Sequence, residues 1–326
     1  MTGNPYSCIL ISIEEDYKRA RNNLKHIYDM LLPKSIIVMG PVSLAPLVAE
    51  DSAVTGLGDR LSFIDERELL SFDDVKAAYD NRIAVASKEY NWQEPHIRAG
   101  WYYQQFLKMF YHTICPDEYY LCWDVDTLPL RPVNMLYSDG KPIFDVKKEY
   151  ITNYFEAIEA LFGFGRAIEQ SFISEHMLFN KKLMAEMINE IEGLPLPGKA
   201  FYEKIFSVVK YPKMGFAEFE TYGCWVAHKY PGLYYIRDWK SLRNTNFLID
   251  RPMLTKEDIS YLATGFDAAS FERYQKPDPY LTDLFRDEHY REKLPADLFY
   301  KCLLEEGIFG EYKDGALVVN DHLWPT

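Results

Sequence analysis

Basic charge is in short supply in this chain of 326 residues. Its 36 Lys and Arg face 49 Asp and Glu, a formal charge of −13. That deficit excludes a broad nucleic-acid surface, which needs clustered cations to displace counterions from phosphate. A nucleotide-sized ligand, needing only a local positive pocket, stays open. Cysteine is also scarce. Cys8, Cys115, Cys122, Cys224 and Cys302 are odd in number and dispersed, with no CxxC spacing. That fits a reducing cytosol better than a disulfide framework. No apolar run is long enough to span a bilayer. The opening, MTGNPYSCILISIEEDY, lacks a basic segment and has too short an apolar stretch for a secretory signal. The expectation is a cytoplasmic protein, with any membrane contact peripheral at the inner face. There are no internal repeats and no low-complexity tract. What is abundant is apolar content, 48%, and aromatic content, 16% with 25 Tyr. Most of those rings read as core.

Apolar runs at residues 7–13 (SCILISI), 35–39 (SIIVM) and 61–64 read as buried strands. Between the first two, Ala20, Leu24, Ile27 and Leu31 keep a helical spacing. Strand–helix alternation at this spacing predicts βαβ units and a mostly parallel sheet. Ligands of such sheets bind at the carboxyl ends of the strands. Ser12, Asp65, Glu66, Asp124 and Asp126 all fall at or near such ends. Residues 100–112 (GWYYQQFLKMFYH) predict a helix with a stripe of Tyr103, Phe106, Leu107 and Phe110. Residues 180–191 predict a second helix, and residues 296–306 a third.

The most telling stretch is 119–132, YYLCWDVDTLPLRP. An aromatic strand runs into Asp124-Val125-Asp126, and Pro129 and Pro132 punctuate the turn after it. Strand side chains alternate with period two, so the two aspartates point the same way. Adjacent carboxylates at the end of a buried strand repel one another, and a divalent cation relieves that. Mg²⁺ or Mn²⁺ uses one or two carboxylates and takes its other ligands from water and phosphate.

Through that motif the chain resembles the GT-A-type nucleotide-sugar glycosyltransferases, above all bacterial enzymes of capsule and surface-polysaccharide synthesis. Residues 100–109 (GWYYQQFLKM), 171–181 (SFISEHMLFNK) and 215–223 (GFAEFETYG), in this order around the aspartates, also carry the likeness. It implies an α/β, Rossmann-like sheet flanked by helices over residues 1–246. Residues 1–132 would form the nucleotide-sugar half and 133–246 the acceptor half, with 247–326 a C-terminal appendage. It implies Mn²⁺ or Mg²⁺ on Asp124 and Asp126, against the diphosphate of a nucleotide-sugar donor, a UDP-sugar favoured. Ser12, Asp65 and Glu66 would lie near the nucleoside. Arg98, Gln104, Gln105, Lys108, Trp123 and Val125 complete the donor side. The acceptor would be a glycan or a lipid-linked glycan.

Glu218 and Glu220 are two apart and share a face if their segment is extended, so either is a candidate general base. His176 interrupts an apolar run, ISEHMLF, and is a candidate catalytic residue, as an acceptor contact or a third metal ligand. Arg237, Lys240 and Arg243 recur every three residues and would form one basic stripe on a helix. Leu298, Phe299, Cys302 and Leu303 form an apolar stripe that packs on the core or touches a membrane. Two other readings stay open. Asp124-Val125-Asp126-Thr127 matches the D-x-D-x-T motif of haloacid-dehalogenase-type phosphatases, with Asp124 as nucleophile and Asp126 as acid/base. A carbohydrate- or nucleotide-binding protein without catalysis is the other.

Overall fold

The computed structural model describes residues 4–90, 98–148, 151–306, 309–313 and 316–319. In chain order the strands are β1 (Ser7–Ile11), β2 (Ile36–Gly40), β3 (Leu61–Asp65), β4 (Tyr119–Trp123), β5 (Thr127–Pro129), β6 (Ile143–Val146), β7 (His176–Asn180), β8 (Tyr235–Asp238), β9 (Ser241–Leu242), β10 (Ala268–Ser270), β11 (Phe309–Lys313) and β12 (Ala316–Val319). The chain forms two units. The first takes Met1–Tyr17, Leu32–Val125 and Asn134–Trp239. The second takes Lys18–Leu31, Asp126–Val133 and Lys240–Thr326. The second unit thus draws Lys18–Leu31, Asp126–Val133 and the stretch 240–246 from within residues 1–246.

The first unit is built on a five-stranded sheet of order β3-β2-β1-β4-β7. The first four strands run parallel, and β7 pairs antiparallel with β4. The expected α/β class with a mostly parallel sheet is therefore found. Every residue of β1 is buried, as a central strand covered on both faces requires. β3, at the sheet edge, keeps only Leu61 buried. The chain winds from β1 outward to β3, then returns to place β4 on the other side of β1. That reversal is a topological switch point, and it lies between the ends of β1 and β4. A second, two-stranded parallel sheet pairs β6 with β8.

Helices cover the sheet because their apolar stripes match its faces. The Ala99–Phe110 helix buries Tyr102, Tyr103, Phe106, Leu107 and Met109. Phe106 meets Phe201, Phe206 and Phe216 with ring centroids 5.4–5.9 Å apart. Burial of one such side chain contributes about 1.5–3 kcal/mol. Asn180 ends β7 and starts the Lys181–Gly193 helix, its side chain accepting from the amides of Lys182 and Leu183. Many tyrosines, among them Tyr79, Tyr102, Tyr111, Tyr120 and Tyr222, lie in the core. Cys8, Cys115, Cys122 and Cys224 are free and buried, and Cys302 is free and exposed. No helix of the described residues is long and apolar enough to cross a membrane.

In the second unit β10 pairs antiparallel with β5 and parallel with β9. The Leu24–Leu31 helix buries Leu24, Ile27 and Leu31, the stripe read from the sequence. The helix expected over 296–306 is Ala296–Glu305, which buries Phe299 and Leu303 and leaves Leu298 46% exposed.

Two expected elements take another form. The segment holding Glu218 and Glu220 is not extended: it opens the Glu218–Lys229 helix. Two positions on a helix are about 200° apart, so the two carboxylates diverge. Arg237 lies in β8 and Lys240 follows it, so no helical basic stripe forms.

Candidate active site

Asp124 follows the last residue of β4, beside β1 at the switch point. The backbone there is held by the neighbouring strand, because Glu175 accepts a hydrogen bond from the Asp124 amide through its carbonyl at 2.9 Å. Glu175 itself has φ +63°, a left-handed conformation that a non-glycine residue adopts at a cost of about 1–3 kcal/mol. Its carboxylate is buried and paired with Lys147. Such strain persists where surrounding contacts over-determine the backbone, and here it lies beside the aspartate motif.

The Asp124 side chain is 27% exposed, and Lys108 Nζ donates to its Oδ1 at 2.6 Å. The same ammonium donates to Glu218 Oε1 at 2.7 Å. Lys108 and Glu218 side chains are each only 6% exposed. Burial alone would lower the Lys108 pKa, but the carboxylates of Asp124 and Glu218 outweigh it and hold it up. Burial raises Glu218, with Lys108 opposing. The sequence puts Lys108 here through helix geometry. Gln105 and Lys108 are three apart on one face of the Ala99–Phe110 helix. Gln105 Oε1 accepts from the Glu218 amide at 3.0 Å, satisfying the first turn of the Glu218–Lys229 helix, and Lys108 takes the Glu218 side chain. Gln105 is thus engaged inside the core, and Gln104 is half-buried.

Glu220 points elsewhere. It accepts from Ser171 Oγ and lies 3.4 Å from the Phe172 amide, and burial raises its pKa. Gly223, one turn on, packs against Phe172, and a Cβ there would press into the ring.

His176 is buried, and both ring nitrogens are engaged. Nδ1 meets the Ser174 carbonyl at 2.8 Å, and Nε2 meets Asp145 Oδ2 at 2.8 Å. The ring stacks on Trp123 at 4.5 Å, with the edge of Trp239 4.6 Å away. That enclosure leaves no ring nitrogen for an acceptor contact or a metal. Arg237 grips Asp145 with two parallel hydrogen bonds. Burial would raise the Asp145 carboxyl, but Arg237 and His176 together hold it below the usual range. Sequence reasoning missed Asp145, Lys147 and Glu175 as parts of this site, and it singled out Arg237 as part of a basic stripe without finding its partner Asp145. The lone Asp inside the apolar run IFDV was a usable signal; the left-handed turn at Glu175 gave none.

The remaining candidates fall as follows. Ser12 is buried after β1, its hydroxyl donating to the Ile13 carbonyl. Asp65 ends β3 and binds Arg67, which holds its pKa down. Burial, helped by the Asp65 charge, pushes Glu66 up to about 7. Arg98 precedes the Ala99–Phe110 helix, its guanidinium 5.6 Å over the Trp101 ring. Trp123 and Val125 are buried. Asp126 opens the second unit, where its carbonyl accepts from the Phe271 amide at 2.9 Å. His322 lies outside the described residues. Among the described residues, no three or more His, Cys, Asp and Glu side chains converge as a metal cage.

No curated protein matches the chain. Solved structures similar to it include mouse xyloside xylosyltransferase 1 in its apo form, at 12% identity and a TM-score of 0.43, covering 84% of this chain and 99% of that one. A complex of the galactosyltransferase LgtC with donor and acceptor sugar analogues is similar at 14% identity and a TM-score of 0.43, covering 88% and 100%. An active-site mutant of LgtC gives 13%, 0.39, 88% and 100%. The family described as a family of unknown function, DUF6492, matches residues 31–278, and the chain belongs to it.

Proposed function

We propose that the protein is a metal-dependent glycosyltransferase. It moves a sugar from a nucleoside-diphosphate sugar, a UDP-sugar favoured, to a glycan or lipid-linked glycan of a bacterial surface polysaccharide. The observation that carries this reading is Asp124. It is a partly open carboxylate at the switch point of a mostly parallel sheet, held from beneath by a buried lysine. A carboxylate there is placed where α/β sheets bind nucleotides. Asp124 and Asp126 are hard oxygen donors, the chemistry that Mn²⁺ and Mg²⁺ select. Beyond these two carboxylates, the remaining ligands would be diphosphate oxygens and water. When bound, such an ion supplies Lewis acidity for departure of the nucleoside diphosphate.

The chain's own residues do the rest. Lys108 fixes the rotamer of Asp124 and offsets part of its negative charge. Glu218 serves as the buried partner of Lys108, which keeps the ammonium from moving to the donor. Ser12, Asp65 and Glu66 follow or close the carboxyl ends of the parallel strands β1 and β3 and would line the nucleoside. The acceptor base is then sought outside the Lys108–Glu218 pair.

The test is donor binding and turnover in D126A and D124N, with Mn²⁺ present. Loss of metal-dependent donor binding with an unchanged melting temperature supports the assignment. Unchanged donor affinity and turnover in both variants would overturn it. A covalent phosphoenzyme on Asp124, absent from D124N, would show the phosphatase chemistry instead.

A further inference from the structure

The segment that delivers Asp124 is gripped by a buried chain of charged and aromatic groups that donor chemistry does not explain. It begins at Arg237 in β8, whose guanidinium takes both oxygens of Asp145 in β6. Asp145 is fully buried and also accepts from His176 Nε2 at 2.8 Å. His176, the first residue of β7, stands opposite Trp123, the last residue of β4. Their rings stack at 4.5 Å and 21°. One step further along the ladder, the strained Glu175 receives the Asp124 amide, while Lys147, just after β6, holds the Glu175 side chain. Both anchors of the β7 end, Asp145 and Lys147, thus come from one stretch, and both act on the residues that face Trp123 and Asp124.

We infer that Arg237, Asp145 and His176 form a positioning chain that sets the backbone of Asp124 through the Trp123 stack. This deepens the glycosyltransferase reading and rests on it for its kinetic consequence only. Buried ion pairs are a poor route to stability, since well-packed apolar residues do as well. They do fix geometry, because each member has a single satisfied arrangement. A carboxylate expected to hold a metal against a diphosphate needs that fixing, since misplacement by about 1 Å costs about 10²-fold in rate. His176 is therefore a positioning residue acting through Trp123.

Two variants test this. His176→Phe keeps a ring on Trp123 but removes the bond to Asp145. His176→Gln places an amide N–H where Nε2 stood and restores it. In metal-free, nucleotide-free protein, hydrogen exchange at the Asp124 amide should accelerate at least tenfold in H176F and return toward the wild-type rate in H176Q. Turnover should follow the same order: kcat down at least tenfold in H176F, partly rescued in H176Q, with acceptor KM within twofold. If H176F fails to fold, R237Q, which loses the paired hydrogen bonds to Asp145, takes its place, with exchange at the Asp124 amide again accelerated at least tenfold. Wild-type exchange and turnover in every folded variant would overturn the inference. So would equal loss of turnover in both with unchanged Asp124 exchange, which would mean that His176 touches substrate. If the wild type turns over no nucleotide sugar, the functional reading fails while the exchange measurement still decides the positioning role.

Discussion

Replacing Lys108 with methionine is the sharpest perturbation of the site. Met fills a similar volume, so the effect is mainly electrostatic. Glu218 keeps 6% of its side-chain surface and loses its cation, whereas Asp124, at 27%, can turn toward water. Removing one partner of a buried pair costs about 3–5 kcal/mol, because the surviving charge stays buried. At about 2–4 °C per kcal/mol for domains of 150–250 residues, the melting temperature should fall by roughly 6–20 °C. The loss depends on pH. Burial already holds the Glu218 pKa above its ordinary 4.5, and Lys108 is what opposes the rise. Without Lys108 the folded state binds a proton that the unfolded state releases, so stability falls as pH rises from about 4.5 through the raised value. K108M should therefore lie closer to wild type at pH 5 than at pH 8, measured by calorimetry. The double variant K108M/E218Q removes both buried charges and should recover most of the loss. A K108M melting temperature within about 2 °C of wild type at both pH values, or no recovery in the double variant, would refute the reasoning.

Other consequences follow from single contacts. At the left-handed Glu175, E175G should be more stable than E175A by about 1 kcal/mol in urea unfolding, the reverse of the usual order within strands. G223A drives a methyl into the buried Phe172 ring and should cost about 1–3 kcal/mol in the same assay. In the second unit, Asp258 accepts from Arg286 at 2.8 Å and Arg291 at 2.6 Å. These outweigh burial and hold its pKa at about 2. That stabilisation is present above pH 3.8 and is lost as pH falls through about 2. D258N should accordingly cost about 1–3 kcal/mol at pH 7 and nothing near pH 2.

Much of this molecule could be read from its sequence where one face of an element decides its fate. The runs that became β1 and β2 are apolar because the sheet buries them, and Leu24, Ile27 and Leu31 keep the spacing of one helix face. The helix expected over 180–191 is found at Lys181–Gly193, with Asn180 as its cap. The Glu218–Lys229 helix was not legible. Its start alternates like a strand, and only tertiary partners reveal it: Gln105 caps the Glu218 amide, Lys108 neutralises Glu218, and Phe172 fills the space over Gly223. Arg237 likewise read as part of a basic stripe on a helix, although it lies in β8 and its guanidinium is bound to Asp145, 92 residues away. Local pattern cannot find a charge whose partner is distant, so Lys108 was placed on the donor side while its link to Glu218 went unseen.

The function proposed for this site depends on Asp124 and Asp126 binding a nucleoside diphosphate through a divalent cation. The decisive experiment is thermal unfolding with UDP, GDP, CDP or dTDP, each with Mn²⁺ and with chelator, because ligand binding to the folded state raises the melting temperature by mass action. A rise of several degrees with one nucleotide, UDP above all, that vanishes with chelator and in D124A is the expected result. No rise with any nucleotide, together with metal-dependent hydrolysis of a simple phosphate ester, would contradict the glycosyltransferase reading.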